Sequence, residues 1–354
     1  MKILIVQTSA LGDVIHTLPA FHYLRNRFPD AQIDWVAEKR ECELLRTTCP
    51  EISNTICFNW REWWNKSHFN KSAREEFRSF IREIRQQKYD LLFDFQGYIK
   101  SAIPTGLARA KVKVGFGFKS ARERLNCLFT DKHVNYPKGL NLRIQYLQMV
   151  SHYFGDEANI KNKKPSLQLS DNEKTRVKTF VEKLSSPIAI VATGSTRTTK
   201  NLDVETFLAF LKEVGEQKGY YWIFVWANEK EEIAAHFLQK QFPQNSVVAP
   251  RLSFGELGYL MQHSEIVFGM DSFVLHFAEF VGCKTYGFFG PTVGVHAAPI
   301  VGPHHNFFQS PCPYGMKFVV RCPKERSCKD VACMRLKRNL PLAKAMAAHF
   351  LAHS

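Results

Sequence analysis

The sequence predicts an α/β fold of two doubly wound, Rossmann-like domains, and three observations carry that prediction. The chain has 354 residues, more than one ordinary core holds and enough for two of roughly 150 each. Short β-branched or aromatic runs alternate with helical segments along its length, the pattern of parallel βαβ units. Runs such as ILIV at 3–6 and LLFDF at 91–95 are near-continuously apolar, as strands are when both faces of a sheet are covered.

The elements follow in order. The first domain opens with a strand at 3–7, a loop at 8–13, an amphipathic helix to about residue 28 and a strand at 32–38. A helix at 72–87 leads into a strand at 90–96, and 112–117 reads as a further strand. The polar, Lys-rich stretch KNKKPSLQLSDNEK begins a segment that ends in Ser185, Ser186 and Pro187. The boundary falls there, giving domains at 1–170 and 171–335. Strands are then expected at 188–193, 222–226, 246–248, 266–269 and 285–289, with helices at 204–217, 229–241, 254–263 and 274–281. Residues 336–354 read as a C-terminal helix packing back on the first domain. Two such domains in tandem leave a cleft at the carboxyl ends of their strands, where open α/β sheets bind ligands.

Composition narrows the function. With 45% hydrophobic and 23% charged residues the chain has material for two packed cores, which excludes a disordered protein. A formal charge of +15 points to an anionic partner: nucleic acid, a phosphorylated substrate or an acidic membrane surface. Two thirds of that excess lies in the first 170 residues. Residues 56–124 alone hold 15 basic and 7 acidic side chains, beginning with Phe58, Trp60, Trp63 and Trp64. Nine cysteines, an odd and scattered number, do not form the framework of a small secreted fold, so reduced thiols are expected. The apolar run after Met1 is too short for a signal-peptide core, and no stretch reaches the length of a spanning helix. The expectation is a cytoplasmic protein, soluble or peripheral at a membrane surface.

Several chemistries are absent from the pattern. There is no G-x-G-x-x-G opening a helix and no G-x-x-x-x-G-K-[ST], which argues against a nicotinamide dehydrogenase or a P-loop nucleotidase. No H-E-x-x-H, no G-x-S-x-G and no acidic pair spaced as a metal clamp occurs. What remains are polar loops at strand ends. After the first strand, Thr8-Ser9-Ala10-Leu11-Gly12-Asp13 offers small residues and a carboxylate. Asp13 reads equally as a helix cap or as a general base at a cleft. In the second domain, Gly194-Ser195-Thr196-Arg197-Thr198-Thr199-Lys200-Asn201 combines hydroxyl donors with two cations, a set suited to phosphate. Glu231 begins a helix where a carboxylate reaches a ribose or answers the helix dipole. Asp271, Ser272 and His276 sit where a strand turns into a helix, an anion-binding corner.

Together these residues resemble a family. The opening MKILIVQTSALGDVIHTLPA, DFQGYIKSA from Asp94, SARERL from Ser120, the loop from Thr196 to Lys200, and the Asp271 to His276 and FFGPT segments are similar to the ADP-heptose:lipopolysaccharide heptosyltransferases, glycosyltransferase family 9. The likeness runs in order to about residue 295, and it is nearest to the heptosyltransferase I branch. It implies a GT-B fold and an inverting, metal-independent transfer with no cofactor. The implied donor is ADP-heptose, and the implied acceptor is Kdo-lipid A at the cytoplasmic face of the inner membrane. Asp13 then corresponds to the catalytic base, with Ser9 and Gly12 beside it. Lys200 corresponds to the lysine at the departing diphosphate, aided by Ser195 and Thr196. Glu231, Asp271, Ser272 and His276 correspond to donor-binding positions. One departure stands out: the family usually has glycine right after its Asp-Thr or Asp-Ser pair, and this chain has Phe273.

Arg61, Lys66, Lys71, Arg74, Lys100, Arg122 and Arg124 are the expected acceptor contacts, since Kdo carboxylates and lipid A phosphates are anionic. Cys312, Cys322, Cys328 and Cys333 lack the close C-x2-C pairs that zinc favours, so isolated thiols are the expectation and a structural metal the lesser one. Two other readings stay open at this stage: a heptosyltransferase II or a related member with another acceptor or nucleotide sugar, and a basic nucleic-acid-binding protein. The cations fall in no nucleic-acid-binding signature, so no nucleic acid partner is expected.

Overall fold

The computed structural model describes residues 1–65, 71–160, 165–184, 187–300, 302–328, 331–335 and 339–353. The chain divides into two compact units, Met1–Gln168 and Leu169–Ser354.

The first unit comprises β1 (Lys2–Val6), α1 (Leu11–Arg27), β2 (Gln32–Ala37), α2 (Lys39–Thr48), β3 (Asn54–Cys57), α3 (Trp60–Asn65), α4 (Lys71–Gln86), β4 (Lys88–Asp94), α5 (Ile99–Leu107), β5 (Arg109–Phe116), β6 (Lys132–Val134) and α6 (Leu142–Tyr153). Its six strands lie in the order β3-β2-β1-β4-β5-β6, and every adjacent pair is parallel. Ile3, Leu4, Ile5 and Val6 are fully buried, which accounts for the unbroken apolar run: helices cover both faces of the sheet. One layer of the core gathers Leu4, Val6, Phe58, Trp63, Phe80 and Leu92.

The second unit repeats the plan with α7 (Asp171–Glu182), β7 (Ile188–Ala192), α8 (Val204–Lys218), β8 (Tyr221–Val225), α9 (Glu229–Gln239), β9 (Ser246–Val248), α10 (Phe254–Gln262), β10 (Ile266–Met270), α11 (Phe273–Phe280), β11 (Lys284–Phe289), α12 (Gly294–Ala297), β12 (His305–Gln309), α13 (Ala332–Arg335) and α14 (Leu340–Ala352). Its order, β12-β11-β10-β7-β8-β9, is the first unit's order renumbered, again with parallel neighbours. Both sheets therefore have the Rossmann arrangement, in which the order reverses between the first and fourth strands. The switch points lie between β1 and β4 and between β7 and β10.

The C-terminal helix, expected from sequence on the first domain, enters the core of its own unit. Ala343, Met346, Ala347 and Phe350 of α14 enter the second unit's core with Phe210, Phe268 and Tyr286. The Tyr286 hydroxyl donates to the Met346 carbonyl at 3.2 Å, and the Asn339 amide donates to the Thr206 hydroxyl at 2.9 Å. The physical reason is the α14 stripe at 343, 346, 347 and 350, which meets the aromatic face of its own sheet. Ring centroids of Phe350 and Tyr286 are 5.0 Å apart.

Candidate active site

At the switch point of the first unit, the loop after β1 is tied to the loop after β4. The Gln96 side-chain oxygen Oε1 accepts from the Thr8 amide at 2.9 Å and from its hydroxyl at 2.6 Å. The β4 loop is held in turn by Asp94, a fully buried carboxylate. One of its oxygens accepts from the amides of Gln96 and Gly97. The other accepts from Ser101, Thr105 and Asn126. Burial pushes the Asp94 carboxyl up, against these donors. Gly97 has φ +65°, and a Cβ there would meet the Phe116 ring at 3.0 Å, so the DFQG run needs its glycine.

That scaffold presents Ser9, Gly12 and Asp13. Asp13 lies in the first turn of α1, half-buried. One of its carboxylate oxygens accepts from the Ala10 amide at 3.1 Å. The capping role weighed from sequence is thus present, carried by one oxygen of a group that has two. Arg122 and the buried Tyr146 hydroxyl lie within electrostatic reach of Asp13.

Lys100, on α5, donates to the Ser9 hydroxyl at 2.9 Å and pairs with Glu38 at the carboxyl end of β2. Arg61 also pairs with Glu38, at 3.3 Å. Two of the expected acceptor cations therefore converge on one buried carboxylate. Burial lowers the Lys100 pKa, while Glu38 pulls it the other way. Arg124 is exposed at the start of a 3-10 turn, and Lys71 and Arg74 are exposed on α4. Lys66 lies outside the described residues.

The second unit's switch point joins the loop after β7 to the loop after β10. Lys200 pairs with Asp271 and reaches its carbonyl at 3.4 Å. The buried His276 shares the other Asp271 oxygen, Nε2 to Oδ1, at 3.3 Å. Burial alone would raise the Asp271 carboxyl, but Lys200 and His276 outweigh it and hold the group well below the usual carboxylate range. His276 and Lys200 are thus members of one charge cluster rather than isolated donors. Ser272 precedes α11 and its Oγ is buried without a hydrogen-bond partner among the described residues. The Ser195 amide donates to Asn201 at 2.8 Å and its hydroxyl to the Arg197 carbonyl at 2.9 Å. Thr196 is exposed.

Glu231 accepts from the Ala227 amide at 2.8 Å. Its side chain lies against Gly194, where an added Cβ would meet Glu231 Cγ at 2.8 Å, so the structure brings this carboxylate to the hydroxyl-rich loop. Phe273 packs its ring on Phe254 at 5.5 Å and on Phe277 at 5.1 Å, which draws the departure from glycine into the apolar packing of α10 and α11.

Cys312, Cys322, Cys328 and Cys333 line one small pocket with Glu325. No group of three or more His, Cys, Asp or Glu is arranged to hold a metal ion among the described residues. No helix among them is long and apolar enough to cross a membrane.

Glu38 was missed from sequence, and Asp94, Gln96 and Asn201 were read only as parts of their segments, without roles of their own; Asp94 ends β4 and Glu38 follows β2 directly.

Comparison with known proteins identifies the family. The model of glycosyltransferase family 9 (heptosyltransferase) matches residues 77–326. The chain is 26% identical over 350 residues to lipopolysaccharide heptosyltransferase 1 of Pseudomonas aeruginosa, covering 97% of this chain and 93% of that protein. It is 26% identical over 298 residues to the Salmonella typhimurium protein of the same name, covering 82% of this chain and 89% of that one. Among solved structures, E. coli heptosyltransferase WaaC with ADP superposes with a TM-score of 0.76 at 22% identity, over the full length of both chains, and shares the GT-B fold. With a family model matched over more than half its length, the chain belongs to glycosyltransferase family 9, the heptosyltransferases.

Proposed function

We propose that this protein transfers L-glycero-D-manno-heptose from ADP-heptose to a Kdo hydroxyl of Kdo-lipid A, with inversion at the anomeric carbon. The observation that supports it most directly is the pairing of chemistries at the two switch points: a carboxylate in the first turn of α1, and a lysine–aspartate–histidine cluster beside a hydroxyl-rich loop. The relatives named lipopolysaccharide heptosyltransferase 1 support heptose transfer to a lipopolysaccharide acceptor.

The Kdo oxygen forms a bond to the anomeric carbon as the bond from that carbon to the β-phosphate oxygen breaks. Asp13 takes the hydroxyl proton, and ADP leaves with the bonding electron pair. Lys200, Ser195, Thr196 and the N-terminal end of α11 at Ser272 stabilise the charge that grows on the diphosphate. Glu231 binds the nucleoside ribose hydroxyls. Asp271 and His276 orient Lys200. Ser9 and Gly12 shape the Asp13 loop. Lys100, Arg61, Arg122 and Arg124 face the acceptor's carboxylates and phosphates, Glu38 holding the first two in position. This reading assigns the acceptor to the first unit and the nucleotide sugar to the second, with the reaction at the cytoplasmic face of the inner membrane.

Phe273 favours one second reading, a family member acting on a different core acceptor or nucleotide sugar. Mass spectrometry of products from ADP-heptose with Kdo-lipid A, and separately with an already heptosylated core acceptor, tests both. A single heptose added to Kdo-lipid A is the expected result; addition only to the heptosylated acceptor would overturn it.

A further inference from the structure

Helix α4 carries Lys71, Arg74, Arg78, Arg82 and Arg85. At about 100° per residue all five fall within a sector of about 80°, and at about 1.5 Å per residue they extend over about 21 Å. All five are exposed. The apolar residues Ala73, Phe80 and Ile84 occupy a different face, buried against Phe58 and Trp63. The carboxylates of this helix fall outside the cationic sector. Glu76 is turned to the core edge, where it accepts from the Trp63 indole at 3.1 Å; Glu83 is half-buried. Only Glu75 borders the stripe, and with Ile81 it lines a shallow hollow beside Arg78 and Arg82.

A row of this length suits an extended array of single negative charges. Arg74 and Arg85 stand about 16 Å apart along the axis, too far for one small anion to meet both. Guanidinium groups pair with phosphate oxygens in bidentate fashion. A single-stranded nucleic acid would need aromatic platforms for its bases, but Trp63, Phe77 and Phe80 pack on one another and on Phe58. We propose that α4 lies along the anionic phospholipid headgroups of a bilayer and holds the enzyme on the surface that carries its acceptor. The choice of a bilayer rests on the lipid acceptor proposed above.

The test compares the intact chain with the R78E/R82E/R85E variant by co-sedimentation with vesicles of phosphatidylglycerol and phosphatidylcholine, and of phosphatidylcholine alone. The wild type is expected to bind only the anionic vesicles, less tightly as salt rises. The variant, with an unchanged thermal midpoint, should lose affinity by at least roughly a hundredfold, since each basic residue near such a surface counts for about fivefold and three are reversed rather than merely removed. Detergent-dispersed Kdo-lipid A should be turned over equally by both proteins. Equal vesicle binding by the variant, equal binding to neutral vesicles, or preferential binding of wild type to generic duplex DNA would each overturn the proposal. Absence of turnover in the detergent arm would remove the acceptor assignment, while the vesicle arm still decides the role of the stripe.

Discussion

Asp271 shows what a single residue contributes when its partners are buried with it. Its carboxylate is paired with Lys200 and hydrogen-bonded by His276, and its folded pKa lies below the unfolded value. A group depressed in this way stabilises the fold above its unfolded pKa, about 3.9, and that contribution is lost as pH falls through the folded value. The pair should thus act at full strength from neutral pH down to about pH 5. Lys200→Met would leave the carboxylate buried without its cation, at a cost of about 3–5 kcal/mol. Adding Asp271→Asn should recover much of the loss, and urea midpoints at pH 7 measure both; an unchanged midpoint in the single variant would refute the account. Asp13 is the complementary case. Asp13→Asn keeps an oxygen to accept from the Ala10 amide, so the fold should hold while kcat falls by roughly 10² to 10⁴. ADP affinity measured by calorimetry should not change, and near-normal turnover would show that another group takes the proton.

At the scale of elements, the loops matter through what ties them. Gln96→Leu would leave the Thr8 amide and hydroxyl without their acceptor, costing about 1–3 kcal/mol. Because the same loop carries Asp13, kcat should fall further than stability alone explains, and steady-state kinetics beside thermal melts separates the two. Phe350→Ala should destabilise the second unit by about 3–5 kcal/mol, seen as an earlier transition in denaturant; no shift would mean that α14 does not support that core. Strands with unbroken apolar runs were legible from sequence to within a residue or two. The helices α2, α5 and α6 and the edge strands β3, β6 and β12 were not, because β3 and β6 have only four and three residues and their pairing rather than their pattern makes them strands. The docking of α14 was unreadable for a related reason: an apolar stripe says that a helix is buried, not against which face.

For the molecule as a whole, the charge of +15 resolves into separate populations. Part is neutralised internally, as at Glu38 and Asp271, and part is displayed in a row on α4. Generic duplex DNA at physiological salt should bind no more tightly than a non-specific ligand, roughly 10⁻⁴ to 10⁻⁶ M, and should leave heptose transfer unaffected; a gel shift at much lower concentration would contradict this. By itself the sequence determined the two domains of βαβ units, the polar loops at their strand ends and the resemblance to family 9, because these depend on local periodicity and contiguous residues. Only the tertiary structure decided which charges meet. Lys200 finds Asp271 across 71 positions and Lys100 finds Glu38 across 62. Such contacts follow from strand order and the place where it reverses, which local patterning does not encode.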